Sequence, residues 1–430
     1  MSPSADADAI ATQPSPDIAH HAALDARMVQ AARGIRLLSL ASWPVELQHR
    51  FLADHARGHT AAPHVVYPRL DFTEARRALD AVAAEADGDH PAGAYLIESA
   101  ASWGIAAQLL ECLGTPAACR HSIALFGAPD EPLPGHGPDT REAARHFIGI
   151  ADELDHELTA PQEHVAISAI ALQLQLQGDL DRFFGERIIA VELDPDMIAK
   201  AAAGAYRIRL RAGASYSDYD RRQLLHHEAF VHSLTALNGR EQPLFASLAM
   251  ASPRTTATQE GLATFAEQIT GSIDIGRMKR VSLRIEAIAM ALDGAGFVEV
   301  FRYFLDAEQS AEESFASAQR VFRGVPLGGG HAFTKDGVYL RGLIGVHTFF
   351  RWALRQDRLR LCQLLFAGKM TLTDVQRFEP LFESGALVTP RWLPDWVARA
   401  NGLAGMLAFS LFANRIRLDR IGDEAPGLGA

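Results

Sequence analysis

HHEAFVH, residues 226–232, carries the start of a zinc-protease motif with one residue too many. His227 and Glu228 match the His-Glu opening, but three residues rather than two separate Glu228 from His232. On an ideal α-helix, side chains four apart lie about 40° apart around the axis, and side chains five apart about 140°. The two imidazoles share a face only if the turn between them is widened. A single-turn π-bulge does this, and such bulges are rare in general but frequent at functional sites. The surrounding segment SDYDRRQLLHHEAFVHSLTALNG (217–239) predicts one helix. Ser217 and Asp220 make a capping-box-like start, and Leu224, Leu225, Ala229, Leu234 and Leu237 supply a buried face. Asn238-Gly239 is the stop. By spacing alone, the histidines are either ligands on a distorted helix or part of an ordinary helix surface.

Two imidazoles do not complete a catalytic zinc site, which usually takes three protein ligands and leaves a position for water. The next helical segment, TTATQEGLATFAEQITG (255–271), offers Glu260 in its first turn. Gly261 beside it leaves room for another backbone or a metal to approach. A carboxylate supplied by a following helix is the gluzincin arrangement. Glu267, two turns on, is the runner-up ligand or a partner of one.

A third segment, GVPLGGGHAFTKDGVYLRGLIGVHTFFRWALR (324–355), opens with a glycine-rich loop but carries neither nucleotide fingerprint, GxxxxGK[ST] or GxGxxG. Thr334 suits an N-cap for a helix running to about Arg355. Lys335, Tyr339, Leu343 and His347 recur every four residues and share a face. That stripe is either a salt-bridged, half-exposed surface or one wall of a metal cleft. In the second case Tyr339 or His347 would donate to a developing oxyanion, and Lys335 or Arg341 would receive a carboxylate. His331, in the glycine-rich loop, is a weaker candidate as part of a lid.

The 430 residues are 48% hydrophobic and carry a formal net charge of −11, with no basic block to displace counterions, which argues against nucleic-acid binding. Cys112, Cys119 and Cys362 are odd in number and form no CxxC, so a reducing compartment is expected. The first 25 residues lack a basic start and apolar run, which predicts a mobile tail rather than a secretory signal. GLAGMLAFSLFA (402–413) is too short for a membrane span, which needs about 20 residues. A soluble, cytoplasmic protein is expected, with no membrane partner. HSIALFG (121–127) and RIIAVEL (187–193) read as strands, and helix is expected around 141–180. AYRIRLRAG (205–213) alternates apolar residues with Arg207, Arg209 and Arg211. Such a strand suits a charge-protected edge, or a face whose arginines, Arg209 among them, meet an acidic ligand. The expected architecture is α+β, mostly helical with a small mixed sheet. A helical N-terminal region over 26–185 precedes a catalytic region over 186–420 and a flexible end over 421–430.

QEGLA (259–263) after HEAFVH (227–232), followed by TKDGVYLRG (334–342), resembles the QEGLA-motif family of bacterial proteins, described as modulating flavohaemoglobin expression. That family is similar to the microtubule-associated tyrosine carboxypeptidases. The resemblance implies a zincin-like metallopeptidase with Zn2+ bound by His227, His232 and Glu260, and with Glu228 as general base. It also implies a peptide or protein C-terminus as substrate. The family more often has Gly-Thr just before the second histidine, where this chain has Phe230-Val231. The alternatives are an endopeptidase and a non-catalytic zinc-binding regulator of expression.

Overall fold

Gly261, on the helix Thr256–Ile269, and Gly342, on the helix Val338–Arg355, meet backbone to backbone. A Cβ on Gly261 would stand 2.2 Å from the Gly342 carbonyl carbon, and one on Gly342 would stand 2.1 Å from the Ala257 carbonyl oxygen. Only glycine permits so close a crossing. The computed structural model describes residues 15–135, 137–154, 166–195, 197 and 200–415, and these surround that crossing with a mostly helical body. The main hydrophobic core draws residues from Leu24 to Leu407, including a nest of Phe51, Phe297, Phe301, Phe315 and Phe322.

A smaller core lies beneath the sheet. The strands are β1 (Ile167–Ser168), β2 (Ala190–Asp194), β3 (Ala201–Ala203), β4 (Arg207–Arg211) and β5 (Ser215–Tyr216). β2 runs parallel to β4 and β3 antiparallel to it, in the order β2-β4-β3, while β1 and β5 form a separate antiparallel pair. Ile208 and Leu210 are buried with Val191 and with Leu172, Leu176 and Leu180 of the helix Ala169–Phe184. The alternation of β4 is as expected, but its place is not. It lies in the middle of its sheet, because β2 sets carboxylates beside its arginines: Arg207 pairs with Glu192 at 3.5 Å and Arg209 with Asp194 at 3.0 Å.

Two other expectations are corrected. HSIALFG closes a helix, Pro116–Phe126, instead of forming a strand. Pro116 starts it after Thr115, Ser122 and Phe126 bury four residues apart, and Gly127 ends it at φ 79°. The tail expected over the first 25 residues is also corrected from residue 16 onward, since a helix spans Pro16–Ala32, capped by the Ser15 side chain. Its Leu24 and Met28 enter the main core, and Asp25 is buried against Ser247, accepting from both its backbone N–H (3.1 Å) and its hydroxyl. Residues 1–14 and 416–430, including the expected flexible end, lie outside the described residues. Helix occupies Thr140–Glu153 and Ala169–Phe184 of the expected 141–180 stretch, and residues 155–165 are likewise outside. GLAGMLAFSLFA falls within the helix Ala400–Ala413, and no described helix is long and apolar enough to cross a membrane.

Gly261→Ala forces the two central helices apart and is expected to destabilise the fold by about 3 kcal/mol or more, read from denaturant unfolding. Burial pushes the Asp25 carboxyl up to about 6. An unfolded chain releases that proton near pH 4, so the folded state holds more protons between those values. Stability contributed by this group is therefore full below pH 4 and lost as pH rises to about 6. Asp25→Asn should flatten that slope by up to about 3 kcal/mol; unfolding curves of equal steepness in pH would contradict this.

Candidate metal centre

The helix carrying HHEAFVH begins as Asp218–Gln223, capped reciprocally by Ser217 and Asp220, continues as a π-helix over Leu224–Ser233, and ends as α-helix over Leu234–Arg240. The widened winding expected at one turn extends over ten residues. It lies between the two cores: Leu224, Leu225, Ala229 and Leu237 bury against the sheet cluster, and Val231 and Leu234 enter the main one. Packing on both sides stabilises a winding that hydrogen bonding alone would not favour. Phe230 packs on Phe183 with ring centroids 4.5 Å apart, so the Phe230-Val231 pair fills apolar space.

The widening brings His227 and His232 onto one side, with their Nε2 atoms 3.2 Å apart. Glu260 Oε2 lies 3.5 Å from each of them. Among the described residues these three side chains form the cluster able to hold a metal ion. A point equidistant from the three atoms, in their plane, is about 2 Å from each, the length of a zinc–imidazole or zinc–carboxylate bond. The donor set and its spacing fit a metal. His226, the third histidine of the motif, meets Phe230 edge-on and stands outside the cluster.

Glu267, the runner-up ligand, instead holds His227. It sits 2.5 Å from His227 Nδ1, fully buried, and Arg277 Nη2 donates to it at 2.7 Å. A proton fixed on Nδ1 leaves the Nε2 lone pair free for a metal. Burial opposes a charge on His227, but hydrogen bonds to Glu260 and Glu267 outweigh it and raise its pKa to about 10. Glu260 is held well below the usual carboxylate range: burial opposes this, and Lys335, His227 and His232 overcome it.

Lys335 donates to Glu260 Oε1 at 2.7 Å and to the Tyr339 hydroxyl at 3.2 Å. It thus orients the carboxylate from the side away from the histidines. His227, Glu228, His232, Glu260, Lys335 and Tyr339 all line one cleft of about 720 Å³. Glu228 is half-buried there, 4.0 Å from His227 Nε2.

Four candidates lie elsewhere. His347 is eight residues beyond Tyr339, about 12 Å along the helix axis, against Phe265 and Ser410. Arg341 is two residues from Tyr339 and so projects to another side of the helix, where it pairs with Glu131 at 2.6 Å. Arg209 belongs to the sheet and its Asp194 partner. His331 bonds the Gly329 carbonyl, apart from the cleft lining. Thr334 does not cap its helix; it is tied to Ser122, while the helix opens with a 3-10 turn, Thr334–Gly337.

Sequence reasoning missed Lys369, which lines the cleft and whose side chain makes no hydrogen bond or ion pair with a described residue. Burial pushes its ammonium down to about 8. Its signal was available as a single charge in the apolar run LFAGKMTL (365–372).

A family model for the microtubule-associated tyrosine carboxypeptidases matches residues 49–415. No curated protein matches. Among solved structures, Trypanosoma cruzi metallocarboxypeptidase 1 is similar at 14% identity and a TM-score of 0.36, over 93% of this chain and 98% of that one.

Glu267→Gln should weaken metal retention by about 10- to 100-fold, measured by competition with a chelator. Unchanged retention would show that Glu267 does not orient His227.

Proposed function

Because the chain belongs to the microtubule-associated tyrosine carboxypeptidase family, we propose that it is a zinc-dependent carboxypeptidase acting on a peptide or protein C-terminus. The observation that carries this reading is the convergence of His227, His232 and Glu260 within bonding reach of a common point, with Glu228 beside them. Two imidazoles and one carboxylate are a zinc-type donor set that leaves a position open. Bound zinc would supply Lewis acidity and lower the pKa of water at the site.

The residues of the chain divide the remaining work. His227, His232 and Glu260 hold the ion, and Glu267 and Lys335 fix the orientation of two of them. Glu228 lines the cleft without joining the ligand triangle, which suits a general base that takes a proton from water and returns it to the leaving amine. Tyr339, whose hydroxyl is held by Lys335, is positioned to donate to the oxyanion that develops on the scissile carbonyl. Lys335 is engaged with Glu260, so we assign it to orienting that ligand rather than to capturing substrate.

Glu228→Gln is expected to keep one metal per chain by elemental analysis and to lower turnover by about 10²- to 10⁴-fold. The substrate test is a mixed peptide library with free and amidated C-termini, analysed by mass spectrometry. Single residues should be released from free ends only. Internal cuts would make the protein an endopeptidase, and intact peptides after incubation with metal-loaded protein would refute the peptidase assignment.

A further inference from the structure

Beside Glu260 the cleft adjoins a side chamber of about 210 Å³, and Leu38, Glu260, Lys335 and Tyr339 border both spaces. Arg320, Arg323, Phe333 and Asp336 complete its wall. The charges in that wall do not balance. Asp336 is engaged by Arg320, whose Nη2 donates to Oδ1 at 2.8 Å, and it also serves Arg284 at 3.9 Å. Glu260 is occupied by Lys335 and the two histidines. Arg323 is left over: its side chain makes no hydrogen bond or ion pair with a described residue, and its Nε is buried without an acceptor. Burial and the neighbouring Arg320 push its pKa down, and attraction from Asp336, Tyr67 and Tyr339 offsets them only in part.

We propose that this chamber receives the free α-carboxylate of the substrate's C-terminal residue, with the Arg323 guanidinium as its anchor. The inference rests on the carboxypeptidase reading and deepens it. A planar guanidinium takes a carboxylate bidentately, and one that makes no side-chain hydrogen bond or ion pair binds an anion without first breaking such a contact. The chamber adjoins the carboxylate ligand and Tyr339, so a chain whose scissile carbonyl meets Tyr339 directs its last residue toward Arg323. Leu38 and Phe333 offer that residue an apolar wall. A chamber of this size has room for one residue rather than a continuing chain, and an amidated end lacks the charge that Arg323 requires.

The test measures binding separately from turnover, in the Glu228→Gln protein loaded with zinc. Mixed N-acetylated pentapeptides, as free acids and as C-terminal amides, are equilibrated with the protein, and bound peptides are quantified by mass spectrometry. Free acids should be retained at least tenfold better than amides. Arg323→Gln should abolish that preference by weakening the acids alone, and Arg323→Lys should restore part of it. Leu38→Trp, at a residue 43% exposed and bordering both spaces, should obstruct the chamber and also reduce the preference, giving a second readout if Arg323→Gln does not fold. Equal binding of acids and amides, or a preference unchanged in both the Arg323→Gln and Leu38→Trp proteins, would overturn the assignment. Acid-selective binding dependent on Arg323, without release of residues by the enzyme retaining Glu228, would instead leave the chamber standing and refute the peptidase reading.

Discussion

Two imidazole nitrogens 3.2 Å apart, on residues five apart in one helix, are the constraint around which this molecule is arranged. In an α-helix those side chains would diverge by about 140°. The ten-residue π winding removes that divergence at the cost of less regular backbone hydrogen bonding. Local sequence stabilises its ends through the Ser217–Asp220 capping box and the return to α-helix at Leu234. The two hydrophobic cores stabilise its middle. A distorted element confined on both faces cannot relax without uncovering apolar surface, which keeps the two imidazoles in place.

The third donor depends on a second constraint, the glycine crossing. Gly261 follows Glu260 directly, and its contact with Gly342 fixes the height of that carboxylate relative to the helix bearing Tyr339, with Lys335 in the turn before it. The ion pair between Lys335 and Glu260 then completes the registration. Glu267, two turns along from Glu260, performs the matching task for His227, and Arg277 holds Glu267 in turn. Backbone contact and charge pairing thus act on the same helix, one setting its position and the other the orientation of its two carboxylates. The same economy leaves Arg323 Nε without an acceptor beside the site, since Asp336 is engaged by Arg320 and faces Arg284.

Much of the centre was legible in the chain. Under the ligand reading the His-Glu-x-x-x-His spacing called for a widened turn, Glu260 stood in the first turn of the next helix, and Gly261 marked a close approach. The first of these concerns residues within two turns of each other, where helix geometry fixes relative direction; Glu260 stands on another helix, and its joining the two histidines was what the resemblance implied. The strands at 190–194 and 207–211 were legible for the same reason, since alternation is a local property. HSIALFG was misjudged because a short apolar run suits either element, and its burial against Thr334, more than two hundred residues away, is invisible locally.

What local chemistry could not reveal was the partner of each charge. Lys335, Arg341 and Arg209 looked alike as cations available for a substrate, yet Glu260, Glu131 and Asp194 claim them, and two of those partners lie more than 70 residues away in sequence. His347 shared a stripe with Tyr339, but the length of the helix carries it to another part of the core. The chain itself specifies which groups are candidates for a metal and how the helix must be wound if its two histidines are to share a face, because spacing along a helix sets angle. The assembled fold specifies which cations stay unpaired, because charge compensation is settled by whichever carboxylate packing brings within reach.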